Sequence, residues 1–285
     1  MGTEEAGGGR SGGAAAGGRL VVCPTPIGNL GDVTLRVLEA LRSADVVACE
    51  DTRRTRVLLD RYEIRAQLVA HHEHNERARA AGLAARVAAG ERVALVSDAG
   101  MPVVSDPGHA LVSACIEAGL TVEVLPGASA TLVALVASGL PSDAWRFVGF
   151  LPRKRGALEA MLGSAGETLV AFESPRRLVA SLEVLAGVDA ARRVAVCREL
   201  TKVHEEVVRG TVTSVLAHFA AAEPRGEIVV VMGAAAEQDG DLPRALDAME
   251  RLVAEGARAR GAAGVVAELT GVPVNALYRA HLARG

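Results

Sequence analysis

The chain has 285 residues, of which 50% are hydrophobic and only 2% aromatic, and 31 Lys and Arg against 34 Asp and Glu give a net charge of −3. That length suits two domains, which typically run roughly 100–200 residues each. The charge excludes a polycation, so any nucleic acid must be met by local basic patches.

The first stretch, MGTEEAGGGRSGGAAAGG (1–18), is rich in Gly and Ala and lacks the apolar core of a secretion signal; it predicts a disordered tail. Over residues 19–139, strand candidates LVVC (20–23), ADVVAC (44–49), AQLVAH (66–71), RVALVS (92–97) and TVEVLP (121–126) alternate with helical patterns at 33–43, 52–62, 75–90, 109–119 and 128–139. Short Val/Leu runs joined by helices predict βαβ units and a parallel sheet buried on both faces. A Gly/Pro/Ser stretch at 138–145 reads as a linker. A second α/β domain is expected over 140–235, with strands at 146–150, 168–172, 192–199, 205–211 and 226–233 and helices at 154–163, 175–187 and 212–222. Two of those strands follow each other without a helix, which predicts a mixed sheet. Residues 236–285 predict a small helical extension, and 262–282 read as helix, Gly-centred turn, helix: a helical cap or a helix-turn-helix.

No apolar run reaches the roughly 20 residues that span a bilayer. The four scattered cysteines, Cys23, Cys49, Cys115 and Cys197, form no Cys-x-x-Cys pair and read as buried free thiols in a reducing compartment. A cytoplasmic protein without membrane or DNA partners is expected.

The unusual residues follow the strands of the first domain: PTPIGNLGD (24–32), EDTRRT (50–55), HHEHN (71–75), SDAGMPVVSDPG (97–108) and LPGASA (125–130). Open parallel sheets bind ligands beyond the carboxyl ends of their strands, so five such loops on one edge predict a binding site. Asp98 directly follows a strand and is placed to accept from a ligand, whereas Asp106-Pro107 precedes a helical run and reads as a helix cap. Ser129 opens a helix whose N–H groups point at the crevice. His71, His72 and His74 flank Glu73, but adjacent side chains on an extended segment point to opposite faces, so no metal site is predicted. There is no P-loop, no Gly-x-Gly-x-x-Gly after the first strand and no Gly-x-Ser-x-Gly elbow.

TPIGNLGDVTLR, EDTRRTRVLL, HHEHNE, VSDAGMPVVSDPG, LPGASA, FVGFLPRK, FESPRRL, RELTKVHEE and RGEIVVV occur in this order over residues 19–233. Together they resemble the small-subunit ribosomal RNA methyltransferase branch of the tetrapyrrole methylase (class III methyltransferase) superfamily. The resemblance implies two α/β domains, an N-terminal parallel sheet and a C-terminal mixed sheet, with S-adenosylmethionine in the cleft between them. It implies 2′-O-methylation of a cytidine ribose in the decoding region of 16S ribosomal RNA, on the small ribosomal subunit, by a homodimer. Carried over by position, it implies cofactor contacts from Pro26, Asp98, Gly100, Met101, Pro102, Ser105, Ser129 and Ala130, and from Phe172, Glu173 and Gly226 of the second domain. Cys49 stands where Ala is expected and Val104 where Ile is common; neither touches the polar chemistry.

A ribose hydroxyl is a poor nucleophile, so an acidic residue that takes its proton would help; Glu50, Asp51 and Glu173 are the candidates. A salt bridge to Arg53, Arg54, Arg176 or Arg177 is the competing reading for each. RNA phosphates would be held by Arg53, Arg54, Arg153, Lys154, Arg176 and Arg177, with Arg56, Arg155 and Lys202 as further basic groups. Scarce aromatics argue against stacking on extended single strands. Two rival readings are carbon methylation of a corrin or porphyrin precursor, which EDTRR, HHEHN and FESPRR disfavour, and a non-catalytic ribosome-associated protein, which the intact SDAGMP and PGASA loops disfavour.

Overall fold

Strands covered on both faces need apolar side chains at every position, and the valine-rich runs of the first half meet that requirement. The computed structural model describes residues 17–72, 74–221, 224–235 and 242–283, and the expected tail lies outside them but for its last two residues. The chain divides into two units: residues up to Ala130 with Leu200–Val203, and Thr131–Glu199 with the residues from His204 onward. Residues 242–283 fall in the second unit.

In the first unit the elements run β1 (Arg19–Cys23), α1 (Leu35–Ser43), β2 (Val46–Cys49), α2 (Thr52–Arg61), β3 (Leu68–Ala70), α3 (Glu76–Ala88), β4 (Arg92–Val96), α4 (His109–Glu117) and β5 (Thr121–Val124). The sheet order is β3-β2-β4-β1-β5 with every pairing parallel. Side chains alternate between two cores. Val21, Cys23, Val47, Cys49 and Ala94 pack with Val37, Leu41, Leu58 and Leu59 of α1 and α2. Leu20, Val22, Val46, Ala48 and Leu95 pack with Leu83, Val87, Leu111 and Cys115 of α3 and α4. Each fully buried leucine, such as Leu41, contributes roughly 2 kcal/mol of burial free energy. Caps fix the helix starts: Thr34 accepts from Val37 N, and Asp51 accepts from Arg53 N.

The second unit holds α5 (Ala130–Ser138) from Thr131 onward, β6 (Trp145–Phe150), α6 (Arg155–Gly163), β7 (Thr168–Glu173), α7 (Pro175–Asp189), β8 (Arg193–Arg198), β9 (Glu206–Thr211), α8 (Val212–Ala220) and β10 (Ile228–Met232). Its sheet, β6-β7-β10-β8-β9, is mixed as expected: β6 and β7 are parallel and the other pairings antiparallel. Leu162, Leu169, Leu178, Leu182, Phe219 and Val230 centre its core. Helices α9 (Leu242–Ala254), α10 (Ala259–Thr270) and α11 (Val274–Leu282) close around Leu246, Met249, Val266 and Leu277. The turn between α10 and α11 is made by Gly271 at φ 73°. All four cysteines are buried and free, and burial pushes the Cys23 thiol up to about 12. No described helix is long and apolar enough to cross a membrane.

Candidate active site

β1 and β4 are neighbours in the sheet, yet the chain leaves them for opposite faces, toward α1 and α4. That is the switch point at which open α/β sheets bind ligands. Just beyond it, Thr25 and Gly100 exchange both backbone hydrogen bonds at 2.9 Å. Thr25 Oγ1 donates to the Ser97 carbonyl and Ser97 Oγ to the Gly100 carbonyl, each at 3.0 Å. Gly100 has φ 79°, the left-handed conformation that lets the chain double back. A Cβ there would sit 3.5 Å from Ile27 and 3.8 Å from the Ala128 carbonyl, so the loops after β1, β4 and β5 converge on this glycine. Pro26 and Pro102 are buried beside it, Met101 packs against the α3–α4 core, Ser105 is exposed, and Ser129 and Ala130 are half-buried at the start of α5. Asn29 N donates to Thr201 Oγ1 at 3.1 Å, which ties the distant segment Leu200–Val203 to the first loop.

The loops after β2 and β4 are cross-linked through their acids. Asp98 Oδ1 accepts Asp51 N at 2.9 Å, and the Glu50 carboxylate accepts the Asp98 N–H. Arg54 Nε lies 3.6 Å from Asp98 Oδ2. Burial, then the charge of Asp98, pushes the Glu50 carboxyl above its usual range. Asp51 behaves differently. It accepts from Arg53 N at 2.8 Å, Nε at 3.1 Å and Nη2 at 2.9 Å, and these bonds from Arg53 hold its carboxyl down at about 2. Named above as a candidate proton acceptor, Asp51 is instead a helix cap locked to an arginine.

Asp106 also departs from expectation. The N-cap of α4 is Gly108, at φ 130°, and its N–H goes to Glu76 Oε2 at 2.7 Å. Asp106 is half-buried against Ser97, and desolvation, followed by the charges of Glu50 and Asp98, raises it to about 7. The chain reaches this arrangement through Val103 at φ 75° and Ser105 at φ 63°. A β-branched residue at positive φ is rare, and each such position costs about 1–3 kcal/mol, strain that clusters at functional sites. SDAGMPVVSDPG contains Ser-Asp-x-Gly twice, and this doubling is the sequence signal that sets Asp106 beside Asp98, although Asp106-Pro107 has the composition of a cap.

In the HHEHN segment His71 is buried with neither ring nitrogen partnered, and burial lowers its pKa. His72 Nε2 meets Asn75 Nδ2 at 3.1 Å, and His74 is exposed. Among the described residues no three His, Cys, Asp or Glu side chains are placed to hold a metal ion.

In the second unit Phe172 stacks edge-on with Phe147 and Phe150, ring centroids 5.0 and 5.6 Å away. The Glu173 side chain is fully buried: it accepts Ser174 N at 2.7 Å and Ser181 Oγ at 2.5 Å, and pairs with Arg177 Nη2 at 3.3 Å. Glu173 is therefore an internal tie rather than an accessible acid. Arg177, expected on RNA, also donates to the Leu151 and Pro152 carbonyls at 2.9 and 3.1 Å and serves the same internal network. Arg153, Lys154 and Arg176 are exposed, as are Arg53 and Arg54 of the first unit. Gly226, at φ 86°, leaves room for the Glu199 carboxylate, which accepts Glu227 N at 2.8 Å; a Cβ would overlap it.

The first-unit edge therefore carries Glu50, Asp98 and Asp106, and among the described residues Arg54 is the ion-pair partner of Asp98. A carboxylate-rich edge of this kind fits a ligand bearing an ammonium and a sulfonium, as S-adenosylmethionine does. Similarity to known proteins points the same way. The family profile described as Tetrapyrrole (Corrin/Porphyrin) Methylases matches residues 19–216. A Mesorhizobium japonicum protein named Ribosomal RNA small subunit methyltransferase I is 50% identical over 91% of this chain and 90% of its own. A protein of the same name from Escherichia coli O157:H7 is 44% identical over 92% and 94%. Among solved structures, uroporphyrin-III C-methyl transferase from Thermus thermophilus, complexed with S-adenyl homocysteine, superposes with a TM-score of 0.53 at 20% identity, over 76% of this chain and 97% of that one.

Proposed function

The chain belongs to the tetrapyrrole methylase family and is a methyltransferase, and from that premise we propose that it is an S-adenosylmethionine-dependent ribosomal RNA methyltransferase of the small subunit, acting on the ribose 2′-oxygen of a cytidine in the decoding region. The observation that carries the reading is the switch-point edge, where Glu50, Asp98 and Asp106 meet beside the Thr25–Gly100 bridge.

S-adenosylmethionine, when bound, supplies an electrophilic methyl group on a sulfonium. Asp98, Gly100, Met101 and Pro102, with Pro26, Ser105, Ser129 and Ala130, are the first-unit residues that would hold it. The remaining work belongs to the chain: align the ribose hydroxyl, exclude water and take up one proton. With the cofactor in place, the Glu50 carboxylate would take up the proton that the ribose hydroxyl gives up on methylation. Glu50 suits this role because burial and Asp98 make it a stronger base than an ordinary glutamate. Asp106 is raised to about 7, first by desolvation and then by the charges of Glu50 and Asp98. Arg53, Arg54, Arg153, Lys154 and Arg176 supply phosphate contacts, a role their exposure permits.

The test is to incubate small ribosomal subunits with methyl-labelled S-adenosylmethionine and map the labelled nucleotide. Label on the 2′-oxygen of one decoding-region cytidine is expected. Label on a base, on a tetrapyrrole alone, or nowhere overturns the reading.

A further inference from the structure

A second cavity lies away from the strand-end loops. It occupies about 190 Å³ beside α1, where the sheet ends at its edge strand β5. That is far above the roughly 10–15 Å³ that admits one water, so a polyatomic ligand fits. Its floor is apolar, from Val21 and Leu125, and its walls are charged.

The register explains the charge. Arg19 of β1 is paired with Arg92 of β4, so two guanidiniums leave the same sheet face side by side. Val21 is paired with Glu123 of β5, which sets one carboxylate on that face. Arg36 reaches down from the first turn of α1 to the same carboxylate, at 2.7 Å, and Arg19 Nη1 lies 3.5 Å from it. Glu123 thus serves two arginines. The Arg92 guanidinium has no ion pair among the described residues, and Arg19 Nε is buried without an acceptor. Like charges facing each other on neighbouring strands repel, and a buried donor without an acceptor is costly. Glu39, at the mouth, is exposed and leaves three arginines against two carboxylates. Arginine forks match tetrahedral oxyanions, and one such group between Arg19, Arg36 and Arg92 would relieve the repulsion.

We propose that this cavity is a binding site for a phosphate group. The group comes either from free phosphate or from a phosphodiester of bound RNA, and only the second source rests on the function proposed above. Inorganic phosphate is titrated against the full-length protein and followed by phosphorus NMR line broadening. Binding is expected for the parent chain, at least tenfold weaker binding for Arg92→Gln, and tighter binding by about threefold for Glu123→Gln, which removes the competing carboxylate. Opposite responses to two neutralising changes in one cavity cannot come from misfolding. Equal phosphate affinity in all three proteins overturns the proposal. A second arm measures small-subunit affinity against salt. A slope of log affinity on log salt reduced by about one in Arg92→Gln assigns the phosphodiester source, and an unchanged slope assigns free phosphate. S-adenosylmethionine binding, measured in parallel, is expected to be the same in all three proteins. Absence of methyl transfer would sink the proposed reaction while leaving the phosphate titration intact.

Discussion

EDTRR (50–54) and ESPRR (173–177) place a glutamate at or just past a strand end, a helix start within two residues, and two arginines in its first turn. Their glutamates nevertheless have opposite fates. In the first unit the cap residue is Asp51, whose carboxylate takes both the Arg53 N–H and the Arg53 guanidinium. Glu50 is left with the Asp98 N–H and with the charge of Asp98, opposed less strongly by Arg54. In the second unit the cap position holds Ser174, which makes no side-chain cap bond, so Glu173 itself takes Ser174 N, Ser181 Oγ and Arg177. The cap differs between the two helix starts, Asp51 in one and Ser174 in the other, and so do the partners of the preceding glutamate. Motif likeness alone does not distinguish the two.

The largest effect expected from this contrast is on stability. Glu173→Ala leaves Arg177 and Ser181 without their partner in a dry site and should lower unfolding free energy by about 3 kcal/mol, read from urea denaturation. Unchanged stability with lost turnover would restore Glu173 as a reacting group. Next comes Glu50→Gln, which should reduce single-turnover methylation about 100-fold while cofactor affinity stays within about twofold, the signature of a missing proton acceptor. Turnover at the parental rate would remove Glu50 from the mechanism. A smaller effect tests the cap directly. Asp51→Ser gives the first loop the cap residue of the second, frees Arg53 to turn on Glu50, and should slow turnover about threefold, the scale of one exposed ion pair. No change in turnover would mean the cap does not govern Glu50.

Much of the fold could be read directly from residue types. Valine-rich runs marked the strands of both sheets, because the buried positions of LVVC or VALV tolerate little else. The mixed second sheet followed from the missing helix between 192–199 and 205–211. The gathering of strand-end loops was equally legible, since any parallel sheet sends them to one edge. What escaped depends on side-chain direction. Asp51 and Glu50 are adjacent acids, and only the helix start sends one to Arg53. Asp106-Pro107 has the composition of a cap, but left-handed backbone at Val103 and Ser105 carries Asp106 elsewhere, and no residue preference signals that for Val103.

The subtlest prediction concerns Asp106, the acid that the first unit adds and the second lacks. Its unfolded carboxyl titrates near 3.9, whereas the folded one is raised to about 7, first by desolvation and then by Glu50 and Asp98. Between those values the folded state holds a proton that the unfolded state releases, so unfolding free energy declines as pH rises from about 4 through about 7. The stabilisation is complete below the unfolded value and lost above the folded one. Asn cannot ionise, so Asp106→Asn should match the parent chain near pH 4 and exceed it at pH 8 by about 2 °C in melting temperature, a figure kept small because the group is only half-buried. Melting curves at four pH values suffice. Parallel lines for the two proteins would mean that Asp106 is an ordinary surface acid, and the first-unit edge would then hold one raised carboxylate, Glu50, instead of two.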